Sequence, residues 1–128
     1  MPNNSNGFTL LEFLVAIVIL SVGLLGMMQA VNSAIGHNMT TQLRDEAVRL
    51  ADDKMAVEKS KTFDAISTTT KRENVQVTIS KAFKNYSVVK KGTSITSNTK
   101  TVQIDVFWRY KGQRSSHVIS TLVSKSVY

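Results

Sequence analysis

Cysteine is absent from the 128 residues, which excludes a disulfide framework, thiolate metal ligation and thiol chemistry. Proline occurs once, at Pro2, so no proline interrupts a helix or strand further along. Acid is scarce in the second half: from residue 71 onward only Glu73 and Asp105 stand against eleven Lys and Arg, a net charge of +9. Residues 1–70 hold seven acids and five bases, net −2, so the two halves differ in the sign of their charge. An apolar share of 42% with 20% charged residues excludes wholesale disorder, and the length suits one small domain.

What the first half has in abundance is apolar sequence. Residues 8–28 read FTLLEFLVAIVILSVGLLGMM, twenty-one positions with one charge, Glu12. As a helix this is about 31 Å long, the hydrocarbon thickness of a bilayer. It is apolar all round, so it requires lipid or an oligomer core; so short a chain hardly wraps it. A secretory signal peptide is the rival reading. That reading wants a basic leader and a shorter apolar stretch. Residues 1–7 are instead polar and uncharged, although residues 29–36 hold a weak candidate cleavage site. An ionised Glu12 in hydrocarbon costs about 2.5–3.5 kcal/mol. Either it snorkels or protonates at the headgroups, or it awaits a cation from another subunit. A chain cut after Gly7 would supply that cation as the α-ammonium of Phe8.

Gly7-Phe-Thr-Leu-Leu-Glu12, behind a short polar leader and ahead of an unbroken apolar run, closely resembles the class III signal of type IV pilins and pseudopilins. The resemblance implies that a membrane-embedded aspartyl prepilin peptidase cuts between Gly7 and Phe8 and methylates Phe8. It implies that Glu12 is the glutamate that pairs with a neighbour's N-terminus during assembly. It also implies a long helix gripping a small sheet. The leader departs from the family in carrying no Lys or Arg, so the positive-inside cue is missing and orientation rests on analogy. Residues 20–30, LSVGLLGMMQA, look like the signature of PilV-type minor pilins. Within them Gly26 and Ala30 form a small-xxx-small pair suited to close helix packing. Gly23 and Gly26 each cost about 1 kcal/mol against alanine, which suits either ordinary membrane-helix usage or a soft point that stretches in a filament.

Beyond Gln29 the apolar positions Val31, Ile35, Met39, Leu43, Ala47, Leu50 and Met55 keep helical spacing. Asp45, Arg49, Asp52, Asp53 and Glu58 fill the other face, so an amphipathic helix is expected to about residue 61. Residues 62–73 are rich in Ser and Thr and read as a loop. Alternation at Val75, Val77 and Ile79, a shorter run at Tyr86, Val88 and Val89, and clean alternation from Val102 to Tyr110 read as strands. A turn at 111–114 leads to a returning strand near Val118–Val123, while Gly92 with residues 93–99 reads as a mobile loop. The expected class is α+β, the long helix packed on an antiparallel sheet of about four strands. Its organisation is leader 1–7, transmembrane helix 8–28, amphipathic helix 29–61 and sheet 62–128.

Catalytic constellations are not found. His37 and His117 stand alone, without a second ligand at metal spacing, and no glycine-rich phosphate loop occurs. No cofactor or metal is expected. The basic half, with Lys90, Lys91, Arg109, Lys111 and Arg114 near aromatics, offers a surface for a polyanion or for an acidic neighbouring subunit. Solubility alone also accounts for such lysines. With the resemblance, these readings predict a substrate of prepilin peptidase rather than an enzyme: a minor pilin that acts at initiation or at the tip of a type IV pilus. It would be single-pass in the bacterial inner membrane with its C-terminal part periplasmic, and then join the pilus. Its partners would be other pilins, the peptidase and the inner-membrane assembly platform. A type II secretion pseudopilin, a DNA-binding minor pilin and a plain single-pass anchored protein are the alternatives.

Overall fold

The computed structural model describes residues 7–126. The first six positions of the expected leader lie outside them. One α-helix, α1 (Leu10–Lys59), precedes a 3-10 turn at Phe63–Ala65 and four strands: β1 (Lys71–Ile79), β2 (Ala82–Thr96), β3 (Thr99–Tyr110) and β4 (Gln113–Ser124). The strands form an antiparallel meander in the order β1-β2-β3-β4, so the class is α+β as the pattern predicts. By its contacts the chain divides into two units, Met1–Asn38 and Met39–Tyr128.

In the first unit the helical part is apolar and exposed. None of its most apolar eighteen-residue window is buried, and Phe8, Leu11, Val18, Leu25 and Val31 all face outward. Such a surface is not stable in water. The one hydroxyl that the run carries at mid-span, Ser21 Oγ, donates to the Ile17 carbonyl at 2.8 Å, which suits a hydrocarbon surround.

In the second unit the core lies between α1 and one face of the sheet. Leu43, Ala47, Ala51 and Met55 recur every four residues, which puts them on a single helix face. They meet Tyr86, Val88, Val102, Ile104, Val106 and Trp108, with Ile66 and Ile79 closing the ends. The alternation from Val102 to Trp108 thus marks the core face of β3, as its period of two requires. Tyr86 donates from its hydroxyl to the Leu43 carbonyl at 3.0 Å, and its ring lies 6.1 Å from Trp108. Burial, with the nearby negative charge of Glu46 adding to it, pushes the Tyr86 phenol up to about 12.

The hairpins β1–β2 and β3–β4 turn through two residues each, Ser80–Lys81 and Lys111–Gly112, all four with positive φ. Paired positive φ is the backbone that matches strand twist in a two-residue turn. At Lys111–Gly112 a glycine takes one position cheaply; at Ser80–Lys81 neither residue does. The left-handed region costs about 1–2 kcal/mol per residue there. Ser80 Oγ in compensation donates to Gln42 Oε1 at 3.0 Å.

Two expectations fail. Gly92 and residues 93–96 are not a loop but the end of β2, in register with β3 through Gly92↔Val102, Thr93↔Thr101 and Ser94↔Lys100. The polar run lacks an apolar face, yet β3 supplies the ladder that holds it extended. Only a bulge between Ser94 and Thr96 and the two residues before Thr99 interrupt the hairpin. Residues 62–73 likewise are not all loop: the 3-10 turn occupies 63–65 and β1 begins at Lys71. The connection is held down by Lys100 Nζ, which donates to the carbonyls of Phe63 (2.8 Å) and Ile66 (3.0 Å) and sits 4.6 Å over the Phe63 ring.

Glu58, expected on the solvated helix face, is instead buried. Its Oε1 accepts from Lys61 Nζ at 2.5 Å and Lys90 Nζ at 2.7 Å, tying α1 to its own exit and to β2. Burial alone would raise its pKa, but the two ammonium hydrogen bonds outweigh it, and the carboxyl lies below its ordinary value. The folded chain therefore holds this proton less tightly than the unfolded chain. The stability it contributes is complete above the ordinary carboxylate range and is lost as pH falls through the lowered value. Urea titrations of the full chain in detergent at pH 7 and pH 3 should show the midpoint fall on acidification. Glu58→Gln should remove part of that fall and cost about 3 kcal/mol at pH 7, because two ammonium groups lose their counter-charge. An unchanged pH slope would disprove the assignment.

Candidate processing and assembly site

The residues carrying the prepilin resemblance cluster where α1 begins. Helix geometry starts at Leu10, and Thr9 is the residue before it. Thr9 and Glu12 cap the helix reciprocally: the Glu12 amide donates to Thr9 Oγ1 at 3.2 Å, and the Thr9 amide donates to Glu12 Oε2 at 3.0 Å. This is a capping box, Thr-x-x-Glu, in which two orphan amides of the first turn find side-chain acceptors. The Glu12 carboxylate also sits at the positive end of the helix dipole.

The cap has a consequence for the segment before it. Gly7 and Phe8 lie outside the helix, so the Gly7–Phe8 peptide bond is not tied into the helical hydrogen-bond ladder. Phe8 is 87% exposed, and a Cβ placed on Gly7 would meet nothing within 4 Å. The bond is open to a protease on every side that the described residues define. Glu12 offers its second oxygen, Oε1, to a partner without giving up the cap.

Gly23, Gly26 and Ala30 lie on the exposed helix further on, and a Cβ at either glycine would meet no neighbour. Among the described residues nothing crowds either glycine. That smallness is available to another helix.

The five basic residues singled out in the second half are not one surface. Lys90 is bound to Glu58 on the α1 side of the sheet. Lys91 lies on the other face, bound to Asp105 at 2.7 Å, and Gln103 donates to the second oxygen of that carboxylate, also at 2.7 Å. Lys111 lies at the hairpin turn, 5.5 Å over the Tyr110 ring. Arg109 and Arg114 do come together, as direct cross-strand partners on the face opposite the core. They share an open depression of about 640 Å³ with Arg72, Asn74, Phe83 and Phe107. Phe107 shares the face of Arg109 by the two-residue alternation of β3, a signal the sequence carries, whereas Arg72 arrives only through the strand register. His37 is exposed on α1 and His117 half-buried on β4 opposite Val106, far apart in sequence and in separate units.

With this geometry in view, comparison with known families is specific. Residues 2–28 match the prokaryotic N-terminal methylation motif, the class III prepilin signal. The match covers the first fifth of the chain and supports a type IV pilin-like or pseudopilin precursor, here with an apolar N-terminal helix followed by a helix-on-sheet unit. Neither curated proteins nor solved structures return a match.

Proposed function

We propose that the protein is a minor pilin of the PilV type, made as a precursor, cut between Gly7 and Phe8, methylated at Phe8 and assembled at the initiating or tip end of a type IV pilus. The observation that carries this reading is the methylation motif over residues 2–28, coupled to an apolar helix whose most apolar window is exposed. In the bilayer, lipid covers residues 8–28 and the sheet unit stands on the periplasmic side. In the filament, neighbouring helices replace lipid, with Gly26 and Ala30 admitting close approach. Partners are then the prepilin peptidase, the assembly platform and other pilins.

Mass spectrometry of the membrane-extracted protein tests the processing step. The expected N-terminus is methylated Phe8; an intact Met1 overturns the reading. Gly7→Val should leave the leader attached in nearly all molecules, since a branched side chain crowds the carbonyl to be attacked. The same motif fits a type II secretion pseudopilin. Recovery in the sheared pilus fraction, against retention in the cell envelope, separates the two.

A further inference from the structure

The sheet face opposite the core carries unpaired guanidinium groups. Arg109 and Arg114 are directly opposed across β3 and β4. Like charges so placed are destabilising, and no acid relieves them: Asp105, on the same face, is already engaged by Lys91 and Gln103. Arg72 on β1 completes the group, and the Arg114 guanidinium lies 4.5 Å over the Phe107 ring, which holds it in place. Among the described residues none of the three arginines has a carboxylate within 4.0 Å.

The complementary defect lies on α1. Glu46 is paired with Arg49 and Glu58 with two lysines, but Asp45, Asp52 and Asp53 are exposed and make no ion pair among the described residues. Asp45 and Asp52 are two helical turns apart, about 10 Å along one face. That face is the one turned away from Leu43, Ala47, Ala51 and Met55. The carboxylates and the arginines therefore stand on opposite outer surfaces of the same two-layer unit. Within one chain they are never able to meet.

We propose that the Arg72–Arg109–Arg114 shelf docks the Asp45–Asp52–Asp53 face of a second copy of this chain. Guanidinium forks donate bidentately to carboxylates, and the contact joins different surfaces of the two copies, so the pair keeps one free surface of each kind. Contacts of exposed charge are individually weak, but chains anchored in one membrane meet at a high effective concentration. The proposal stands apart from the processing reading: it needs neither cleavage at Gly7 nor a particular filament.

The absence of cysteine makes a cross-linking test direct. Ala56→Cys, one turn beyond Asp52, and Ser116→Cys, beside Phe107 on β4, are placed in separate full-length chains reconstituted together in phosphatidylcholine vesicles and oxidised. The mixed cross-link should dominate over both self-cross-links. Arg109→Glu with Arg114→Glu in the Ser116→Cys chain should lower it about tenfold, and Asp45→Arg with Asp52→Arg in the Ala56→Cys chain should restore it. Restoration also shows that the reversed sheet still folds. A yield indifferent to the arginine reversal, or one not restored by the reciprocal change, overturns the proposal. So does a shelf that responds to added single-stranded DNA and not to the helix-face variants, which would make it a nucleic-acid site.

Discussion

Replacing Gly92 with alanine is expected to lower the thermal midpoint of the folded chain by about 15 °C, equivalent to about 3 kcal/mol. A Cβ at this position would lie 2.0 Å from the Ser67 carbonyl oxygen and 3.0 Å from both Ser67 C and Thr68 Cα. These are backbone atoms, so no rotamer change relieves the overlap. Nor is the connection free to step aside. Lys100 grips the carbonyls of Phe63 and Ile66, and the Ile66 side chain is buried. Either β2 or the connection must shift, which breaks ladder bonds or uncovers the core. Circular dichroism melts of the full chain in detergent would measure the loss, with Thr93→Ala, an exposed neighbour, as the near-neutral control. A Gly92→Ala protein that melts with the parent would show that residues 67–68 do not press on β2.

Glu12→Ala should leave membrane insertion intact and reduce recovery in sheared filaments by at least about tenfold. One charge removed from an apolar run lowers the cost of insertion. The same change removes the only acid of residues 8–28, and with it the counter-charge for an incoming ammonium. Because Glu12 also caps its own helix, a single substitution does not distinguish the two roles. Glu12→Gln does. A glutamine oxygen still accepts from the Thr9 amide, so the cap is kept while the charge is lost. If pairing with a neighbour's N-terminus is what assembly needs, Glu12→Gln fails as Glu12→Ala does. Normal incorporation of the glutamine variant would assign Glu12 to the cap alone. Thr9→Ala serves as the reciprocal control, since it costs about 1 kcal/mol of capping and leaves the carboxylate in place.

The apolar run, the amphipathic continuation of α1 and the alternation of β3 were legible in the sequence because each rests on local periodicity. Glu58 was not, since a glutamate on a charged helix segment reads as solvated until Lys90 arrives from β2 to neutralise it. The length of β2 was hidden for a related reason: residues 92–96 have β-branched Thr93, Ile95 and Thr96 but no apolar alternation, and pairing with β3 holds them extended. Gly92 reads as loop punctuation, whereas its lack of a side chain answers to Ser67. At the candidate site, Gly7, Phe8 and Glu12 stand out by position, and the hydroxyl of Thr9 three residues before Glu12 is itself a capping-box signal. Phe107 and Arg109 share a face by alternation along β3, but Arg72 and Arg114 lie on other strands, so only register completes the shelf.

The arrangement of Thr9 and Glu12 bears on what a helix needs once its beginning is cut away. The two hydrogen bonds of the cap join Thr9 and Glu12 to each other, and both residues lie beyond the seven positions that proteolysis would discard. Removing them would leave the lock on the helix's leading end in place. The rod that emerges would be as firmly begun as the precursor, with a new amine sitting just outside its first turn rather than at the tip of a fraying coil.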